Sequence, residues 1–275
     1  MSRAFLSFIV ALVFFCCEVS AFAASQSTFS VSPPPIATPV FDTKETDLKV
    51  GATYLTMKST DPANDFKLSG YGINAVSRKA FGNMLAIDYA VGVMYMSGDI
   101  GLGSGLTGTG SGGGSGSKLK LSGASIPFSF NLEVQPYKND MFNVIVFAGP
   151  ALNITEMSLR NVPTLIGTTV VHDTWTISSV MYGLQGGLQM GLGLGDVHVD
   201  AFGMAMSQKG TQTISTSFGS DSSSIPAIMT TSFGVDFMYV PWGLSLSSIL
   251  QEAKKSDTTS GTKTTMYQLS WSHKF

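Results

Sequence analysis

Large apolar side chains recur at every second residue in this chain, and that alternation constrains its fold more than any other feature. In the cleanest stretch Leu85, Ile87, Tyr89, Val91, Val93 and Tyr95 are interleaved with Ala86, Asp88, Ala90 and Gly92. Successive residues of a strand point to opposite faces, so this order gives an apolar face backed by a small or acidic one. The run from Val180 repeats it, with Tyr182, Leu184, Leu188, Met190 and Leu192 on one face and Gly183, Gln185, Gly187, Gln189 and Gly191 on the other. Phe233, Val235, Phe237 and Tyr239 alternate with Ser232, Gly234, Asp236 and Met238, and Ile126, Phe128, Phe130 and Leu132 with Ser125, Pro127, Ser129 and Asn131. Hydrophobic residues make up 44% of the chain and mean hydropathy is +0.24, while charged residues are only 12%. Beyond the N-terminal segment no stretch approaches the roughly 20 apolar residues of a membrane helix. Hydrophobicity spread in alternation suits a sheet that closes on itself in lipid, where every backbone N–H and C=O must find a partner between strands. The expected fold is all-β: a closed antiparallel transmembrane β-barrel of about ten strands, with eight as the smaller alternative.

The first residues belong to a different kind of segment. Met1, Ser2 and Arg3 form a short basic start, Ala4 to Cys17 is almost wholly apolar, and Ala21-Phe22-Ala23 gives the small-x-small pattern of a cleavage site. This predicts a cleaved signal peptide over residues 1–23, because the apolar run is too short to anchor a helix. Phe15 precedes Cys16 where a lipidation site needs a small residue. Both cysteines of the chain fall in the removed segment, so the mature protein has no disulfide, no thiolate nucleophile and no cysteine metal ligand. A formal net charge of −2 leaves no basic footprint for nucleic acid. Pro33, Pro34, Pro35 and Pro39 mark residues 24–44 as a Pro-rich periplasmic linker, and the barrel is expected to occupy 45–275.

Turn signals cut the barrel region into ten segments. Their connections fall near 59–66, 78–83, 98–117, 135–140, 160–174, 194–196, 209–225, 241–242 and 253–263. The odd ones are the longer and more polar, and the even ones are tight. Outer-membrane barrels have long outer loops and short periplasmic turns, so both termini are expected on the periplasmic side. The Gly/Ser run within 98–117, which includes Gly112-Gly113-Gly114-Ser115-Gly116, reads as a surface loop; no Lys-Ser/Thr pair follows it to make a phosphate cradle.

The chain ends at Phe275, preceded on one strand face by His273, Trp271, Leu269 and Tyr267. This ending resembles the C-terminal signature of outer-membrane barrels. With the alternation before it, the chain from about residue 45 onward looks like the broad opacity-protein/OmpA-type small-barrel group. The resemblance implies a place in the bacterial outer membrane, surrounded by membrane lipids and lipopolysaccharide. It also implies recognition by the barrel-assembly machinery through Tyr267, Leu269, Trp271 and Phe275. On physical grounds alone, Tyr54, Tyr89, Tyr95, Tyr239, Trp242, Trp271 and Phe275 fall near strand ends or on outward faces, where amphipathic rings form interfacial girdles.

Candidate chemistry is sparse. The three histidines, His172, His198 and His273, have no metal-binding spacing, and no Gly-x-Ser-x-Gly elbow occurs. No cofactor is expected. His198 and Asp200 share a strand face and could orient an imidazole, but no nucleophile accompanies them. By parity Arg78, Asp88, Glu133, Asp200 and Asp236 point to the interior, mostly in the periplasmic half. Unpaired charges there are costly, so the expectation is a hydrogen-bonded plug in which Arg78 reaches Glu133 or Asp88. Three functions follow in order. The first is a non-enzymatic outer-membrane barrel whose outer loops serve structural, adhesive or ligand-contact roles toward an extracellular ligand or host surface. The second is a narrow, porin-like passive channel lined by the small residues Gly183, Gly187 and Gly191. The third is a hydrolase or lipid-modifying barrel enzyme built around His198.

Overall fold

In the computed structural model, which describes residues 46–60, 66–101, 118–166, 169–254 and 261–275, ten strands follow one another. They are β1 (Thr46–Ser59), β2 (Phe66–Ala80), β3 (Leu85–Gly101), β4 (Lys118–Lys138), β5 (Phe142–Ile166), β6 (Thr169–Leu194), β7 (Val197–Thr216), β8 (Gly219–Tyr239), β9 (Leu244–Ala253) and β10 (Thr262–Lys274). Each pairs antiparallel with its chain neighbours, and β1 closes on β10 through a ladder from Asp47–Lys274 to Ser59–Thr262. Closure leaves no unpaired edge, which is what a sheet in lipid requires. The expected signal peptide and linker, and residues 102–117 of the Gly/Ser run, lie outside the described residues.

Alternation sorts the strands as the sequence implies. On β3 Leu85, Tyr89, Val91, Val93 and Tyr95 are exposed on the outer face, whereas Ala86, Asp88 and Ala90 are buried. The same split holds for Tyr182, Leu184, Leu188 and Met190 on β6, and for Phe233 and Phe237 on β8. Tight turns join the strands at the end where β1 starts and β10 finishes. Gly82, Gly195 and Gly243 there adopt φ of +129°, +67° and +64°, a region that L side chains rarely enter. In the turn between β4 and β5, Asn139 Oδ1 accepts from the backbone N–H of Met141 and Phe142 at 2.9 and 2.6 Å. At the same end Tyr239 meets Trp242 edge-on at 5.3 Å, and His273 packs between Trp271 and Phe275. Tyr89 lies on the outer face with Phe130 as its register partner.

At the opposite end the fold departs from the sequence reading in one respect. The connections expected as loops over 160–174 and 209–225 are mostly paired strand: β5 and β6 remain in register to Ile166–Thr169, and β7 and β8 to Thr216–Gly219. Gly, Asn and Asp made these segments look like loops, but the facing strands supply ladder hydrogen bonds that outweigh weak β propensity. The long outer excursions are present and are built as β-hairpins. On β5 the outward apolar face ends at Ile154 and continues as Glu156, Ser158 and Arg160. Ile166 lies twelve positions beyond Ile154, so this hairpin extends along its strands by roughly 40 Å.

Four neighbouring strands leave the apolar band by the same sequence of side chains. Tyr267, Tyr54, Tyr71 and Tyr95 form one cross-strand row on β10, β1, β2 and β3; Thr265, Thr56, Ser69 and Ser97 form the next; Lys263, Lys58, Lys67 and Asp99 form the third. The outer wall thus passes from amphipathic ring through hydroxyl to charge within about 13 Å of strand, the order expected where lipid gives way to water.

Candidate functional site

The residues with chemical potential lie inside the barrel, and the inner face of each strand divides into two zones. Near the turns it is ionic. Arg78 on β2 has Asp47 and Asp88 as register partners on either side, yet its guanidinium reaches past β3 to Glu133 on β4. Nε lies 2.6 Å from one carboxylate oxygen, and Nη2 donates to the other at 3.0 Å. One charge-assisted hydrogen bond and one close ionic contact thus join the pair, and Arg78 and Glu133 are 1% and 0% exposed. Asp88 accepts from Asn131 Nδ2 at 2.8 Å, and the Asn131 carbonyl accepts from Gln185 on β6 at 2.9 Å.

On the other side of the ring Lys49 of β1 lies 3.1 Å from Asp236 of β8, which also accepts from Ser247 of β9. Asp200 is the direct register partner of Asp236 and accepts from Gln189 at 2.8 Å, with His198 Nε2 at 2.9 Å. The five ionisable residues singled out from the sequence therefore fall into two groups, Arg78 with Glu133 and Asp88, and Asp200 with Asp236. Sequence reasoning missed Lys49 and Asp47. Parity from Leu48 and Val50 would have placed both inward, but the alternation of β1 is uneven and hid it.

Farther along the strands the interior is mainly apolar, with Gln208, Gln212, Thr230, Ser232, Gln251 and Thr264 as buried polar residues on β7 to β10. Leu55, Met57, Phe66, Leu68, Met94, Met96, Leu119, Leu121, Met157, Leu159, Trp175, Ile177, Ile249 and Met266 belong to one contiguous buried cluster that draws on every strand except β8. Between the zones, Asn74 donates to Gln268 at 2.9 Å, and Ser125, Asn153 and Thr155 hydrogen-bond one another. The small residues expected to widen a passage leave no gap. A Cβ on Gly187 would meet the Phe147 ring at 2.6 Å, one on Gly191 would meet Asn143 Oδ1 at 2.1 Å, and one on Gly183 the backbone of Ser207 and Gln208. Among the described residues no three His, Asp or Glu side chains converge as metal ligands.

The outer hairpins are tied together beyond the apolar band. Asp173 on the projecting part of β6 accepts from Ser217 Oγ at 2.6 Å and from the backbone N–H of Ser217 at 3.1 Å and Thr174 at 2.7 Å. The hydrogen bond from the Ser217 hydroxyl, with the two backbone donors after it, holds the Asp173 carboxyl below the usual carboxylate range. This carboxylate fastens the β7–β8 turn to the neighbouring hairpin.

No family model and no curated protein sequence matches the chain. Solved structures match in fold. The outer membrane protease OmpT from Escherichia coli aligns with a TM-score of 0.58 over 89% of this chain and 99% of that one, at 10% identity. The translocator domain of the autotransporter NalP from Neisseria meningitidis aligns at 0.45 over 82% of this chain and 88% of that one, at 8% identity. The outer membrane protein OprG from Pseudomonas aeruginosa aligns at 0.39 over 87% and 99%, at 10% identity. At such identities the likeness is one of fold. The chain is a transmembrane β-barrel of the bacterial outer-membrane kind.

Proposed function

We propose that this barrel is neither a channel nor an enzyme and works from its outer end, where the joined hairpins β5–β6 and β7–β8 form a contact surface for a ligand, a host surface or a neighbouring protein. The observation that carries this reading is the filled interior. An ionic zone and an apolar zone lie in series across the lumen, and the key side chains in each are nearly inaccessible to water. A solute path would have to cross both. Inaccessibility also argues against chemistry at His198 and Asp200, which are 2% and 1% exposed and could not meet a substrate. The projecting hairpins, by contrast, carry Thr211, Thr213, Ser220, Ser222, Ser223 and Ser224 above the apolar band, a hydroxyl-rich surface suited to polar contacts. The assembly machinery is expected to act at the other end, through the exposed outward face of β10 that bears Tyr267, Leu269, Trp271 and Phe275.

Planar-bilayer recording tests the first half of the proposal: the purified barrel should give no steady conductance, and ohmic steps in wild type would promote the channel reading. Shortening both hairpins to the level of Ile154 tests the second half. The trimmed barrel should still assemble and resist heat unfolding. Cells displaying it should lose whatever aggregation or surface attachment wild type confers.

A further inference from the structure

We propose that the outer wall of the barrel binds a phosphate group of an outer-leaflet lipid through Lys263, Lys58 and Lys67. These lysines are consecutive register partners on β10, β1 and β2, and all three point outward. Directly opposed residues on paired strands have Cβ atoms about 4.5–5.5 Å apart, and like charges so placed repel. Asp99 and Glu252 flank the row on β3 and β9. Among the described residues, the carboxylate contact made to the three is Glu252 to Lys263 at 3.8 Å, with both side chains 54% exposed. A pair that open to solvent offsets little. An anion lying over the row relieves the repulsion directly.

Position and shape identify the anion. On each strand a hydroxyl and then a tyrosine separate the lysine from the apolar band, which puts the ammonium groups just beyond the depth favoured by interfacial rings, among lipid headgroups. A groove of about 570 Å³ runs beside them on the barrel exterior. Its lining includes the three lysines with Glu252, then Thr56, Thr231 and Thr265, and Phe233 and Leu250, which lie one outward step closer to the periplasmic end than the lysine row. Charge above and apolar wall below match a lipid whose phosphate faces water while an acyl chain lies along the strands. A soluble phosphate would have no use for the apolar end.

The test uses the purified barrel in detergent micelles doped with a diphosphorylated glycolipid, or with the same lipid after phosphate removal, and counts retained lipid by native mass spectrometry. The phosphorylated lipid should be retained, the dephosphorylated one should not, and millimolar inorganic phosphate should fail to displace it. Replacing the row together (Lys58→Gln, Lys67→Gln, Lys263→Gln) should weaken retention about a hundredfold, from roughly fivefold per lysine near an anionic surface. Lys79→Gln, an exposed lysine at the opposite end of β2, should change nothing. Equal retention of the two lipids overturns phosphate recognition, and displacement by inorganic phosphate overturns the lipid assignment. Undiminished retention in the triple variant overturns the site. If that variant fails to assemble, the two lipids on wild type still decide the matter.

Discussion

Near the periplasmic turns the barrel is filled by Arg78, Glu133, Asp88, Lys49, Asp236 and Asp200, while toward the outside it is filled by Leu55, Leu68, Met96, Leu121, Met157 and Trp175. The named side chains of both fillings are buried, but they are held by different physics. Each ionic contact is directional and depends on a few particular partners, so its loss strands a charge in a place that cannot solvate it. Apolar contacts are many, weak and interchangeable, so their loss leaves a void whose cost depends on how far neighbours relax. The ionic zone is therefore suited to fixing which strands face one another: Arg78 to Glu133 spans β2 to β4, and Lys49 to Asp236 spans β1 to β8 across the closure. The apolar zone supplies bulk.

This contrast can be broken or sharpened by substitution. The largest effect is expected from Arg78→Ala, which leaves Glu133 buried without its cation and should cost about 3–5 kcal/mol, read as a lower urea midpoint in detergent. The paired change Arg78→Met with Glu133→Leu should recover most of that loss. A double variant as unstable as the single one would mean that the ionic zone is not organised around this pair.

Leu121→Ala in the apolar zone should cost about 2–4 kcal/mol, with no dependence on the identity of any partner. Because the two zones lie in series, neither Arg78→Ala nor Leu121→Ala alone should conduct in bilayers. Arg78→Ala combined with Leu121→Ala and Met157→Ala should. Conductance from either single variant would show that one zone alone forms the barrier.

The smallest effect concerns the outer clasp, where Asp173→Asn should destabilise the hairpin tips by about 1 kcal/mol without changing the unfolding of the membrane-embedded wall. Its pH dependence has a definite sign. The folded carboxyl titrates below its ordinary value, so the clasp contributes fully above the unfolded value of about 3.9. It is lost as pH falls through the depressed folded one. Protease nicking near Ser217 should increase in acid below about pH 4 in wild type, and Asp173→Asn should show that increase already at neutral pH.

Period-two alternation over Leu85–Tyr95, Val180–Leu192 and Phe233–Tyr239 was enough to specify a closed membrane sheet and its facing, and turn signals gave about ten strands with eight left open. Lipid leaves no other way to satisfy the backbone of a chain that is apolar yet lacks apolar helices. The same parity placed Arg78, Asp88, Glu133, Asp200 and Asp236 inside. It could not tell that Arg78 would choose Glu133 over its immediate neighbour Asp88, since that depends on the curvature of the ring and on how far a guanidinium reaches. The apolar zone stayed hidden for a related reason. Leu55 and Met57 share β1 with outward Tyr54, and where both faces are apolar a binary pattern has no contrast to report. Strand register was equally invisible: nothing in the spacing of Lys58, Lys67 and Lys263 along the chain shows that they stand side by side. Local sequence determined which face each residue takes, because facing depends only on the pleat. The tertiary structure alone decided which residues meet, because that depends on how ten strands are staggered when the sheet closes.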